Sequence, residues 1–140
     1  MTAVEYLSQA YRLDIRINSK IEQVASLNDL ALKATSVVTG MPHSPNKGKS
    51  SMADAIDKII DLQEEINQDI DRLVDLKAEI VAVIKAVDNK EYQTLLEQRY
   101  LCYRTWESIA VNLGYSIHHI YKMHNLALAA CEEILKTDTK

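Results

Sequence analysis

The feature that most constrains the fold is a heptad repeat over residues 52–87. Apolar side chains recur there at every seventh position, at Met52, Ile59, Ile66, Leu73, Ile80 and Val87. A second apolar line runs between them through Leu62, Leu76 and Val83, and Asp69 interrupts it. Because seven-residue spacing keeps apolar residues on one face, this stretch predicts a long helix of the coiled-coil type.

A second long helix is predicted over residues 3–36, where apolar residues from Leu7 to Ala34 are spaced by threes and fours. Residues 37–51 (VVTGMPHSPNKGKSS) contain two of the three glycines and both prolines. Proline removes a backbone donor and glycine admits positive φ, so the sequence predicts a mobile loop here. The two helices are expected to fold back as an antiparallel hairpin, which makes residues 1–88 the first domain.

The apolar stripe of the second helix is wide, because Ile56, Ile70 and Ile84 lie beside the heptad positions. A single hairpin leaves part of such a stripe uncovered, which predicts a homodimer forming a four-helix bundle. The alternative is that the C-terminal domain covers the stripe within one chain. The residues predicted to form the seam between copies are Ile59, Ile66, Leu73, Ile80 and Val87.

The acidic charge is confined to the middle of the chain. Residues 52–88 contain ten acids and four bases, a net charge of −6, whereas residues 89–140 contain six of each. The overall charge of −4 is therefore no argument against nucleic-acid binding by the C-terminal part.

Scarce glycine and proline and long stretches of helix-forming residues predict an all-α fold. Neither a signal peptide nor an apolar run of about 20 residues is apparent, so we expect a cytoplasmic protein without membrane contact. The three C-terminal histidines lack the i,i+4 spacing of a helical metal site, and no catalytic motif is present. The sequence therefore predicts no enzyme, metal, cofactor or small-molecule substrate.

The second predicted domain, residues 89–140, has the local signals of a helix-turn-helix. Asp88 to Glu91 resembles a capping box that opens a helix over Glu91 to Tyr103. Thr105 is a favourable N-cap for a short helix over 106–113, Gly114 suits the left-handed residue after it, and Ser116 suits the next N-cap. The inward residues of the two helices are Ile109, Ala110, Leu113, Ile120, Met123, Ala127 and Cys131.

The opposite face of the helix over 117–133 is expected to enter the major groove. Lys122 suits a phosphate or a guanine edge, Asn125 suits adenine, and Ile117 and Tyr121 suit a thymine methyl. The start of helix 106–113, near Arg104, suits a phosphate. The predicted DNA-binding residues are Arg104, Thr105, Ser116, Ile117, His118, Tyr121, Lys122 and Asn125.

Residues 91–135 resemble region 4, the promoter-reading module of bacterial sigma factors. The matching stretches are Leu96-Glu-Gln-Arg99-Tyr100, Thr105-Trp-Glu-Ser-Ile109-Ala110, Gly114-Tyr-Ser116, Ile120 and Ala127-Leu128. The whole chain, with MPHSPNKG between two long helices, resembles a family of small phage and prophage proteins of Gram-positive bacteria described as sigma-factor-like. The resemblance implies base and phosphate contacts at Ile117, His118, Tyr121 and Lys122, and a phosphate contact at Thr105.

This helix departs from the sigma-factor pattern, in which several arginines occur, because Lys122 is its only full cation near the expected groove. One copy is therefore expected to bind DNA weakly. A dimer, or host RNA polymerase holding the module in place, would compensate. The alternative function is a protein-interaction module that does not bind DNA and captures a host protein through the acidic hairpin.

Overall fold

A computed structural model describes the backbone of residues 1–40 and 45–138, with the side chains of 35–40, 45–50 and 138 outside the description. Five helices account for most of these residues, and no strand occurs among them. They are α1 (Ala3–Gly40), α2 (Pro45–Ala86), α3 (Lys90–Tyr100), α4 (Trp106–Leu113) and α5 (Ile117–Asp138). The expectation of an all-α fold is confirmed.

The predicted loop over residues 37–51 is mostly helical, because α1 continues to Gly40 and α2 begins at Pro45. Proline is compatible with the first position of a helix, where its fixed φ fits and its missing N–H has no intrahelical partner. The break between the two long helices is therefore shorter than the proline and glycine content of residues 37–51 suggested. Residues 41–44, and the predicted mobility of the loop at those positions, lie outside the described residues.

The chain divides into two compact units. Unit 1 comprises Met1–Leu13 and Leu73–Lys140, and unit 2 comprises Asp14–Arg72. This division differs from the expected domains 1–88 and 89–140, since the start of α1 and the end of α2 group with the three C-terminal helices. The boundary between the two compact units therefore does not coincide with a helix break such as the one after Ala86.

In unit 2, an ion pair accounts for the residue that interrupts the apolar line of α2. Lys20 Nζ of α1 lies 2.6 Å from Asp69 Oδ2 and 3.8 Å from Glu65 Oε2. The side chains of Lys20 and Asp69 are only 13% and 18% exposed. Because an unpaired charge is costly at such a position, this pair favours one alignment of the two helices, as an antiparallel hairpin requires.

The core of unit 1 lies among α3, α4 and α5, each of which contacts the other two. The expected inner residues of the helix pair are buried, with Leu113 half-buried. The ends of the long helices contribute to the same core. Its fully buried larger side chains are Leu7, Ile80, Ile84, Val87, Leu95, Leu96, Ile109, Ile120 and Cys131.

The heptad residues predicted to join two copies are largely used within one chain. Ile80 and Val87 are fully buried in unit 1, and Ile59 is buried in unit 2. Ile66 and Leu73 are half-buried. The heptad periodicity identified the apolar face correctly, but it did not show which residues pack against that face. Because Ile59, Ile80 and Val87 are buried within one chain, they are unavailable to a second copy in this conformation.

The start and end of α3 both differ from expectation. The N-cap is Asn89 rather than Asp88: its side chain accepts hydrogen bonds from the backbone N–H groups of Glu91 and Tyr92 at 2.9 and 3.1 Å. Asparagine and aspartate are about equally good N-caps, so two adjacent candidates were not distinguishable by type. The helix ends at Tyr100 rather than at Tyr103, and Tyr103 has a left-handed φ of 58° in the turn that follows.

Candidate functional site

The turn between α4 and α5 is built by the residues that the sequence indicated. Thr105 is the N-cap of α4, with its Oγ1 accepting from Ser108 N at 3.2 Å. Gly114 is left-handed, with φ of 75°, and its N–H donates to Ala110 O at 2.9 Å. Ser116 Oγ accepts from His119 N at 3.2 Å at the start of α5. The predicted capping roles of Thr105 and Ser116 and the left-handed conformation of Gly114 are confirmed.

Tyr115 fastens this turn to α3. Its hydroxyl donates to Glu91 Oε1 at 2.7 Å, and its ring lies 4.5 Å from that of His119, centroid to centroid. The hydrogen bond to Glu91 is the largest of the causes that raise the pKa of Tyr115. The start of α5 is therefore held relative to α3 as well as α4.

The outward face of α5 is exposed where the sequence analysis expected it. His118, Tyr121, Lys122 and Asn125 are all exposed, and Ile117 is half-buried. With 3.6 residues per turn, the four exposed residues fall within about 100° of arc, opposite the buried row that begins with Ile120. The structure thus places them together on one face.

The remaining site residues lie at helix starts. Arg104, Thr105 and Ser116 are exposed. The hydroxyl groups of Thr105 and Ser116 each accept a capping hydrogen bond within the chain. A hydroxyl retains one proton to donate, so capping leaves each able to bond to an anionic oxygen.

An aromatic cluster behind this face was not foreseen from the sequence. The ring centroid of Trp106 lies 5.5 Å from that of Tyr121 and 4.6 Å from that of His124, in edge-to-face geometry. The guanidinium carbon of Arg99 lies 4.4 Å from the centre of the Trp106 ring. The only signal in the sequence was the i,i+3 spacing of Tyr121 and His124 on α5, which places both on a side that α4 can meet.

His124 is half-buried and packs within this cluster. Its Nε2 and the Tyr100 hydroxyl are hydrogen-bonded at 2.7 Å, and the two rings are stacked. Burial, and then the charge of Arg99, lower the pKa of His124 to about 4. Burial is also the main cause that raises the pKa of Tyr100 to about 12. Both side chains are therefore uncharged near pH 7.

Two general features of the described residues bear on the kind of site. No group of three histidine, cysteine, aspartate or glutamate side chains among them is close enough to hold a metal ion. Within the same residues, no helix has the length and apolar character needed to cross a membrane.

A family model described as a protein of unknown function, DUF1492, matches residues 44–132. This span of 89 residues is more than half of the 140-residue chain. The chain belongs to the DUF1492 family. The match covers the turn at Gly114 and the exposed face of α5, so the candidate site of this DUF1492 protein lies inside the family's shared region. No curated protein and no solved structure gives a significant match.

Proposed function

We propose that this protein is a DNA-binding transcription regulator that acts in the bacterial cytoplasm and reads double-stranded DNA with α5. The observation that carries the proposal is the exposure of His118, Tyr121, Lys122 and Asn125 together on one face. A helix fixed by a short turn to a preceding helix, with its outer face exposed, is suited to the major groove. The resemblance to sigma-factor region 4 and to small phage proteins supports the same function.

The side chains on this face have distinct roles in the proposed complex. Asn125 bonds an adenine edge, and Tyr121 contacts a thymine methyl. Lys122 bonds a phosphate or a guanine edge. Arg104 and the Thr105 hydroxyl, at the start of α4, hold a phosphate and set the register of α5 along the groove.

The low positive charge of this surface makes a second attachment necessary in the proposed mechanism. Lys122 is the only cation among the four exposed residues of α5, and Arg104 adds one at the start of α4. Each phosphate contact adds to affinity and to its salt dependence, so one copy alone binds weakly. Two linked copies, or a copy held by host RNA polymerase, raise the effective concentration at the DNA.

An exposed stripe of α2 in unit 2 supports the dimer. Ile56, Ile60, Gln63, Asn67 and Ile70 are all exposed, and their spacing alternates four and three residues. This is the spacing of a second coiled-coil seam, distinct from the heptad positions buried in one chain. Asn67 falls at an a position, where a polar residue specifies the register and the number of strands.

The flanking charges favour parallel over antiparallel pairing of two such stripes. Asp57, Glu64 and Asp71 occupy the e positions on one side. In an antiparallel pair, e positions of the two copies face each other and the acids repel. In a parallel pair they face g positions instead, and the Asn67 side chains of the two copies meet.

DNA binding is tested by gel-shift assays with fragments of the genome that encodes the protein, at low and at physiological salt. Tyr121→Ala and Lys122→Ala are each expected to weaken binding by about tenfold, the loss of one base or phosphate contact. Lys85→Ala removes an exposed lysine elsewhere in unit 1 and is the matched control, expected to bind like the unmodified chain. Equal affinities for all four proteins would contradict the assignment.

The second candidate function is capture of a host protein through the acidic helical hairpin, without DNA binding. The net charge of −6 over residues 52–88 and the neutral C-terminal part favour it. This function would be favoured over DNA reading by two results together. The protein would retard no genomic fragment at low salt, and it would bind a host protein in a way that Glu64→Lys or Asp71→Lys abolishes.

A further inference from the structure

Unit 1 contains a cavity, and Thr105 is the only proposed DNA-contacting residue among the described residues that line it. Its volume is about 430 Å³, within the range of small-molecule sites. The start of α1, the end of α3, α4 and α5 all contribute to its walls. The side chains that define its chemistry are those of Tyr11, Arg99, Tyr100, Tyr103, Trp106 and His124.

Aromatic rings form most of these walls. The rings of Tyr11 and Tyr103 meet edge to face with centroids 5.2 Å apart. Those of Trp106 and His124 do so at 4.6 Å, and Tyr100 stacks on His124. These rings contact one another, and their surfaces that face the cavity can pack against a further planar ring at centroid separations of about 4.5–7 Å.

The cavity has a single formal charge, and that charge is positive. Arg99 is the only ionised side chain among the described residues that line it, because His124 is neutral near pH 7. Arg99 Nη1 donates to the Arg104 carbonyl at 3.0 Å. A guanidinium carries five N–H donors, so others remain for an anionic group, and a paired carboxylate is absent from the lining.

We propose that this cavity binds a small molecule that carries a flat aromatic ring and one anionic group. The ring lies among the side chains of Tyr11, Tyr103 and Trp106, and the anion lies against the guanidinium of Arg99. This proposal does not rest on the proposed DNA-binding function.

Two fluorescent probes with the same ring system separate the two parts of this recognition. The first, 8-anilinonaphthalene-1-sulfonate, carries an anion; the second, N-phenyl-1-naphthylamine, lacks it. Trp106 is the single tryptophan of the chain and lines the cavity. Energy transfer from Trp106 to either probe therefore reports a probe bound near Trp106 in the full-length protein, and the variants below locate it.

Arg99→Met is expected to weaken binding of the sulfonate probe by about tenfold, because a charge-assisted hydrogen bond is lost, and to leave the neutral probe unchanged. Arg72→Met, at an exposed position in unit 2, is the matched control and is expected to alter neither affinity. Circular dichroism establishes that each variant is folded. Equal weakening of both probes, or of neither, by a folded Arg99→Met would overturn the proposal.

A second variant tests the cavity without removing a charge. Ser8 lines the cavity, so Ser8→Tyr fills part of it and is expected to abolish binding of both probes. Unchanged binding to Ser8→Tyr would overturn the proposal, even if Arg99→Met does not fold. Loss of the signal in Ile60→Ser or Leu27→Ser would place the probes on unit 2 and would also overturn it.

Discussion

At the level of single residues, the sequence predicted the role of a side chain where that role depends on residues a few positions away. The capping roles of Thr105, Gly114 and Ser116 were predicted correctly because a cap acts within one helical turn. The ion pair between Lys20 and Asp69 was not predictable, because the two residues are 49 positions apart in the chain. Contacts between helices depend on how the helices align, which local patterns do not specify.

His124 provides a test of the structure at this scale through pH. Its pKa is about 4 in the folded protein, whereas an exposed histidine titrates near 6.5. Between these values the unfolded chain binds more protons, so the free energy of unfolding falls as pH decreases through that range. Allowing for the partial exposure of His124, we expect a loss of about 1 kcal/mol between pH 7 and pH 5.

Urea denaturation at the two pH values measures this loss, and His124→Gln is the reference because glutamine does not titrate. The variant is expected to lose about 1 kcal/mol less than the unmodified chain over the same interval. An equal decrease in the free energy of unfolding of the two proteins would show that burial does not lower the pKa of His124.

At the level of helices, the start and end of each element were predicted with different success. The turn around Gly114 was predictable because it needs a left-handed residue and the sequence offers only one candidate there. The start of α3 was not, since Asp88 and Asn89 are both good caps. The loop over 37–51 was predicted too long, because proline was taken as a break although Pro45 is compatible with the first position of α2.

The cap of α3 is tested by a pair of alanine substitutions. Asn89→Ala removes the acceptor for two backbone N–H groups and is expected to lower the free energy of unfolding by about 1 kcal/mol. Asp88→Ala changes an exposed neighbour and is expected to have an effect within about 0.5 kcal/mol. Denaturant unfolding of both variants decides the matter, and a larger loss from Asp88→Ala would contradict the assigned cap.

The turn between α4 and α5 is tested at Gly114. A Cβ atom there would meet nothing within 4 Å, so the cost of Gly114→Ala comes from the left-handed backbone alone. We expect a loss of about 1 kcal/mol in thermal or denaturant unfolding. Gly114→Asn is expected to lose less, because asparagine tolerates this conformation better than alanine. Equal losses for the two variants would argue against a strain-based explanation.

At the level of the whole molecule, the heptad repeat predicted an apolar face but not the surface that covers it. Ile80 and Val87 are buried in unit 1, and the stripe from Ile56 to Ile70 is left exposed in unit 2. Both stripes obey the same periodicity, so spacing alone does not distinguish contacts within a chain from those between chains. The aromatic cavity was missed for a similar reason, since its residues come from four helices.

The proposed dimer is tested by sedimentation at micromolar concentration. The unmodified chain is expected to sediment at twice its mass of 15.9 kDa. Ile60 is 55% exposed in one chain, so Ile60→Asp is expected to give a folded monomer. Val111→Asp, at an exposed apolar position of α4, is the control and is expected to remain a dimer. A monomeric unmodified chain would remove the dimer from the mechanism.

The most direct test of DNA reading by α5 is the salt dependence of binding to a DNA fragment selected by the protein. Fluorescence anisotropy gives the affinity of the unmodified chain, Lys122→Ala and Lys85→Ala across a range of salt concentrations. If Lys122 contacts a phosphate, its loss is expected to weaken binding and to lower the magnitude of the log–log slope by about 1 per copy bound, whereas Lys85→Ala leaves both unchanged. Coincident curves for all three proteins would contradict the claim that α5 meets the DNA.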